Sequence, residues 1–123
     1  MKENIQTLRE RTKVFAVRVV RMYAALPGGR VAQTLGYQAL RSGTSVGAHY
    51  REAYRSRSDA EIISKLETAL QEVDETSYWF ELLVDAEIVS AKRLRSLCVE
   101  ANELTAILVA SVKKIKARRP RKT

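Results

Sequence analysis

His49, Cys98 and the pair Glu72-x-x-Glu75 are the side chains whose types and spacing could do chemistry. His49 is the only histidine and Cys98 the only cysteine of the 123 residues. A zinc site draws three or four ligands from Cys, His and carboxylates, and two Cys or His residues fall short of the usual sets. A di-iron bundle needs a Glu-x-x-His pair on each of two helices. Here Glu72-x-x-Glu75 exists, but the sequence has no Glu-x-x-His. Cys98 and His49 would make a nucleophile–base pair only if the fold joined them. Cys98 flanks a core position of its helix and reads as a small buried side chain. His49 reads as a packed or capping imidazole rather than a general base. Glu72 and Glu75 lie one helical turn apart. They read as part of a solvated face or as partners for arginines of the second helix, such as Arg41 or Arg51. These observations predict a protein that is not an enzyme and holds no metal and no cofactor.

The stretch "RSGTSVGAHYREAYRSRS" (41–58) contains Gly43-x-x-x-Gly47, three hydroxyl residues between Ser42 and Ser45, His49 and four arginines. A phosphate-cradling loop would need G-x-x-x-x-G-K-[ST] after a strand, and neither is present. The alternative is a helix face without bulk, formed by Ser42, Gly43, Ser45, Gly47 and Ala48. Each glycine costs a helix about 1 kcal/mol relative to alanine. Close approach of a bulky neighbouring helix offsets that cost, and packing is the favoured reading.

The elements that position these residues are helical. Ile5, Leu8, Thr12, Phe15, Val19, Met22 and Leu26 recur in steps of three and four, which sets one face of a first helix. Pro27-Gly28-Gly29 stops it. Val31, Leu35, Ala39, Val46, Tyr50 and Ala53 form a thinner second pattern. Ser58-Asp59-Ala60-Glu61 is a capping box for a third helix. That helix reads Ile62, Leu66, Ala69 or Leu70, Val73, Ser77, Phe80 and Val84, with Glu75, Trp79, Leu82 and Ala86 as a stripe beside it. Ser90 caps a fourth helix with Leu94, Leu97, Ala101, Leu104, Leu108, Ser111 and Ile115 inward. Pro120 ends any helix at or before Arg119. Four helices of roughly 25 residues with short connections predict an all-α fold, an antiparallel up-down-up-down four-helix bundle. Its expected extent is 1–119, followed by a basic C-terminal tail at 120–123.

The formal net charge is +8, unevenly spread. Residues 58–87 hold nine of the 14 acids and one of the 22 bases, so one acidic helix sits in a basic protein. The run "KKIKARRPRKT" (113–123) has seven bases and no acid. In an antiparallel bundle the second and fourth helices end on the same side. Arg51, Arg55 and Arg57 should therefore converge with Lys113, Lys114, Lys116, Arg118 and Arg119. Phosphate binding is one reading of that convergence. The other is plain: cations favour a helix C-terminus, and a basic tail keeps a protein soluble. The start "MKENIQTLRE" has no apolar core of a secretory signal, and "VFAVRVVRMYAAL" is too broken by charge to span a membrane. With one unpaired cysteine, the chain reads as cytoplasmic.

Two apolar stripes exceed what one bundle core uses: Ala16, Val20 and Tyr23 on the first helix, and Trp79, Leu82 and Ala86 on the third. Outward aromatic residues mark an interface. Tyr23, Tyr78, Trp79 and Leu82 are accordingly the expected contacts of a closed homo-oligomer.

"QALRSGTSVGAHYREA" (38–53) and "EIISKLETALQEVDETSYWFELL" (61–83) together resemble the small bacterial four-helix-bundle proteins named for reading frames in intervening sequences of 23S rRNA genes. The resemblance runs from about Val14 to Lys116. It departs at His49, where the family usually has asparagine, and at Ile62, where phenylalanine is common. The resemblance implies a four-helix bundle, a homopentamer as in characterised relatives, and no catalytic residues. A related group, the accessory variability proteins of diversity-generating retroelements, forms a basic pentameric barrel that binds a reverse transcriptase and nucleic acid. The expectation is thus a non-enzymatic, oligomeric helical protein that binds RNA or another nucleic acid through its basic surface. A protein-interaction scaffold with an unknown protein partner is the alternative.

Overall fold

Pro27-Gly28-Gly29, Ser58 and Ser90 mark three connections, and the chain turns at each. The computed structural model describes residues 2–118, with side chains from Leu8 onward. The helices are α1 (Lys2–Ala24), α2 (Arg30–Tyr54), α3 (Asp59–Asp85) and α4 (Ala91–Arg118). Gly29 has φ +116°, a backbone region that L side chains rarely adopt, and this lets the chain reverse into α2. The Ser58 hydroxyl accepts from the Glu61 N–H at 3.2 Å, and the Ser90 hydroxyl from the Arg93 N–H at 3.3 Å. Both expected N-caps are therefore in place.

Cross-helix pairs fix the directions. Along the α1–α2 seam, Leu26 and Tyr23 face Gly36, Val19 faces Gly43, and Thr12 faces Gly47. Along α2–α3, Arg41 meets Glu75 while Glu52 meets Lys65. Along α3–α4, Asp59 meets Arg118 and Glu67 meets Lys116. Along α1–α4, Arg11 meets Glu100 and Glu103 while Arg18 reaches Ser96. On every seam one index rises as the other falls, so each neighbour is antiparallel. α1 contacts α2 and α4, and α3 contacts the same two, so α1–α3 and α2–α4 lie on the diagonals. Phe15 and Phe80 meet edge to face across the core with centroids 6.4 Å apart.

The α1 stripe is as expected for Leu8, Thr12, Phe15 and Val19, which are buried; Met22 and Leu26 are partly so, and the Ile5 side chain lies outside the described residues. The phase of the other helices needs correction. Val31 is 64% exposed, and Ala32, seven residues before Ala39, takes the inner position. On α3 the buried line is Ile63, Leu66, Ala69, Val73, Thr76, Phe80 and Leu83. Ile62, Ser77 and Val84 are each one residue off, about 100° round the helix, and flank the core. On α4 Val112 replaces Ser111 inside. At Ile62–Ile63 and Thr76–Ser77 the neighbours are of similar character, so periodicity alone does not choose between them.

Two kinds of seam hold the bundle. The α1–α2 seam is close because Gly43 and Gly47 have no side chain. A Cβ on Gly43 would lie 3.0 Å from both Val19 methyl carbons, and one on Gly47 would lie 3.2 Å from Thr12 Oγ1. The Gly43-x-x-x-Gly47 segment is thus a packing face rather than a phosphate loop. The α1–α4 seam is instead bridged by long arms. The Arg11 guanidinium donates to Glu100 at 3.0 and 2.8 Å and to Glu103 at 2.6 Å. These carboxylates raise the Arg11 pKa, so it stays charged at any accessible pH.

Candidate nucleic-acid interface

The antiparallel arrangement puts the end of α2, the start of α3 and the end of α4 at one end of the bundle. Arg118, the last described residue of α4, donates to Asp59 at 3.2 Å. Asp59 opens α3 two residues after Arg57, so this bond brings the end of α4 to the α2–α3 turn. Arg51, Arg55, Arg57, Lys113 and Lys114 are exposed there. Among the described residues, no carboxylate pairs with any of these five. Lys116 and Arg118 are held differently, by Glu67 at 3.4 Å and by Asp59. Arg119, and the tail residues 120–123, lie outside the described residues. The two basic clusters are therefore joined at one end, with the acidic start of α3 tied to the end of α4 between them.

Of the residues read as potential chemistry, His49, Glu72 and Glu75 sit in the α2–α3 seam and Cys98 on α4. Arg41 donates to Glu75 and lies 3.9 Å from Glu72, so the arginine-partner reading of these acids holds for Arg41. Glu75 also accepts from the Trp79 indole N–H at 3.0 Å. His49 stands between two carboxylates, with Nε2 3.6 Å from Glu72 and Nδ1 3.8 Å from Glu52. Both distances are longer than a hydrogen bond, and Nδ1 is buried without a partner among the described residues. Glu52 is in turn bonded by Lys65, whose ammonium at 2.9 Å lowers the Glu52 pKa. In the core, the Thr76 hydroxyl donates to Ser42 Oγ at 2.7 Å, and Ser42 donates to the Gln38 carbonyl at 2.9 Å. This buried chain explains why two polar residues occupy inner positions. Cys98 is partly buried on α4, and burial raises its thiol pKa, with Glu81 adding to the effect. An elevated pKa leaves little thiolate for nucleophilic chemistry.

The residues expected at a subunit contact divide. Tyr78 is 54% exposed and packs edge-on against Trp79 at 5.2 Å. Trp79 is half-buried against the core, Leu82 is partly buried, and Tyr23 is partly buried where its ring meets Gly36. The intrachain fold therefore covers part of the surface that sequence periodicity assigned outward. Of the expected α1 stripe, Val20 is exposed while Ala16 and Tyr23 are partly buried, and the exposed apolar strip is instead Val14, Val17 and Val20.

A bundle with an acidic third helix, a close glycine-lined α1–α2 seam and exposed bases at the shared end of α2 and α4 defines a small all-α protein with no helix, among the described residues, long and apolar enough to cross a membrane. Residues 6–110 match the model of the 23S rRNA-intervening sequence protein family, and the chain belongs to that family. It is also similar to a crystal structure of a protein of unknown function from the S23 ribosomal protein family of Bacteroides thetaiotaomicron. The two are 35% identical, the match covers 89% of this chain and 98% of the other, and the TM-score is 0.85. No curated protein matches.

Proposed function

We propose that this chain is a non-enzymatic, oligomeric, cytoplasmic bundle protein that binds RNA or another nucleic acid through the basic end of the molecule. The observation that carries this reading is the junction of the α2 and α4 clusters, joined through Arg118 and Asp59. Lys116 and Arg118 lie in exposed ion pairs, which are worth at most about 1 kcal/mol and yield readily to a polyanion. Arg51, Arg55, Arg57, Lys113 and Lys114 need no such exchange. Phosphate contacts of this kind position a protein without reading bases, so sequence preference should be weak. Oligomerisation would repeat the surface once per subunit, and the pentamer number comes from family resemblance alone.

The test uses purified protein freed of carried-over nucleic acid and a fluorescently labelled RNA. Anisotropy should show binding at physiological salt, with affinity falling steeply as salt rises. Absence of binding there contradicts the reading. Light scattering at micromolar concentration should show an assembly larger than a monomer. The scaffold alternative draws on one observation, the exposed strip of Val14, Val17 and Val20, and it gains if RNA binding is absent while the assembly persists.

A further inference from the structure

Tyr54 is the aromatic residue that the basic end presents to solvent. It is 54% exposed, although the residue one turn before it, Tyr50, is 5% exposed. Gly36, Gly43, Gly47, Tyr50 and Tyr54 follow steps of seven, four, three and four, so they share the side of α2 that faces α1. Over the first three, α1 closes on α2 directly. At Tyr54 the ring emerges instead.

Its surroundings are cationic. Arg51 lies three residues before it and so on the adjoining helix surface, and Arg55 follows it. Arg9 of α1 is close enough to act on the Tyr50 hydroxyl, as is Tyr54, which places Arg9 at the same mouth of the seam. Carboxylates engage Arg11, Arg41 and Arg118, while Arg21, Arg30, Arg93 and Arg95 are exposed toward the opposite end. Among the described residues, no carboxylate pairs with Arg9, Arg51 or Arg55. Of the other exposed tyrosines, Tyr37 lies near the start of α2, away from this end, and Tyr78 belongs to the acidic helix and faces the wrong field for a polyanion.

We propose that Tyr54, flanked by Arg9, Arg51 and Arg55, is a stacking platform for an unpaired base, and that the ligand of this end is single-stranded RNA. The proposal rests on the nucleic-acid reading above and narrows it. A duplex keeps its base faces inside the stack and offers only phosphates and groove edges. A single strand offers a base face to the ring while adjacent phosphates meet the guanidinium groups. The phenol ring tolerates any base, which agrees with weak sequence preference.

The experiment compares a labelled RNA single strand of about 15 nucleotides, within the span of such binding sites, with the duplex of the same sequence, by anisotropy, on the intact chain. Parent protein should bind the single strand more tightly. Tyr54→Ala should weaken single-strand binding by roughly tenfold or more while leaving duplex affinity and the salt slope unchanged. Tyr54→Phe keeps the ring and should restore binding to near the parent value. Circular dichroism checks that each variant is folded, as expected for an exposed position at a helix end. Unchanged single-strand binding by Tyr54→Ala, or an equal loss on both RNAs, overturns the platform. In that case binding that still collapses with salt leaves the phosphate reading standing. No binding of either RNA by the parent overturns both.

Discussion

Val19 of α1 fills the space that a side chain on Gly43 of α2 would need: a Cβ there would sit 3.0 Å from each Val19 methyl carbon and 3.3 Å from its Cβ. Val19 is fully buried and branched at Cβ, so it has no route out of the way. Gly43→Ala gains about 1 kcal/mol in helix propensity and loses about 1–3 kcal/mol to overpacking. A net loss of up to about 2 kcal/mol is expected in urea unfolding. Gly36→Ala should behave differently. The atom nearest its Cβ is the end of the Leu26 side chain, and the next is the Tyr23 ring at 3.0 Å; both side chains are only partly buried and can shift outward, unlike Val19. That variant should lie within about 1 kcal/mol of the parent. Equal destabilisation by the two would show that seam distance is not what the glycines serve.

The hydroxyls of Ser42 and Thr76 form a buried bond between α2 and α3 at 2.7 Å. Each also lies near a carbonyl of its own helix, Gln38 for Ser42 and Glu72 for Thr76. Ser42→Ala therefore leaves Thr76 a second acceptor, and the cost should be about 1 kcal/mol. A double-mutant cycle with Thr76→Val should return a coupling of about 0.5–1.5 kcal/mol. Zero coupling would mean that each hydroxyl is satisfied by its own helix alone.

Tyr50 supplies a pH signature. Burial, and secondarily the nearby Tyr54, push its phenol pKa from 10 up to about 12, against an opposing pull from Arg9. The folded state then holds the phenolic proton in a range where the unfolded chain has released it. This contribution to stability is intact below pH 10 and is lost as pH rises from 10 to about 12. The full loss is bounded by roughly 3 kcal/mol, from about 1.36 kcal/mol per unit. Tyr50→Phe removes this ionisation, so its unfolding free energy should fall less than the parent's across that window. Parallel pH profiles for the two proteins would refute the assignment.

Helix count, breaks, caps and direction were legible because each has a local chemical cause: Pro27-Gly28-Gly29, the Ser58 box, Ser90, and steps of three and four. Core phase was legible where an unbroken run of three- and four-residue steps fixes it, as from Leu8 through Phe15 to Val19 and from Leu94 to Leu108. It failed where neighbours are alike. Ile62 and Ile63 differ only in which faces inward, and Thr76 is chosen over Ser77 because its hydroxyl meets Ser42 across the seam. Topology alone was enough to place Arg51, Arg55 and Arg57 with the C-terminal bases. It did not separate the paired Lys116 and Arg118 from unpaired bases, since the partners Glu67 and Asp59 lie 49 and 59 residues away. Tyr54 was passed over although "REAYRSR" frames it with arginines, because periodicity puts it on the same face as the buried Tyr50 and does not show that it is exposed.

The basic surface at the shared end of α2 and α4 should bind a nucleic-acid backbone, and this is the central claim. Its most direct test measures RNA affinity against salt for the parent and for a variant with Lys114, Lys116, Arg118, Arg119, Arg121 and Lys122 replaced by glutamine. Ile115 is left intact because it packs against the core. On a plot of log affinity against log salt, every phosphate that the variant no longer neutralises flattens the slope by about 0.7 for a single strand. The expected result is a folded variant with weaker binding and a shallower slope, lowered further by adding Arg55→Gln and Arg57→Gln. A folded variant that binds RNA as tightly as the parent, with the same slope, would contradict the claim.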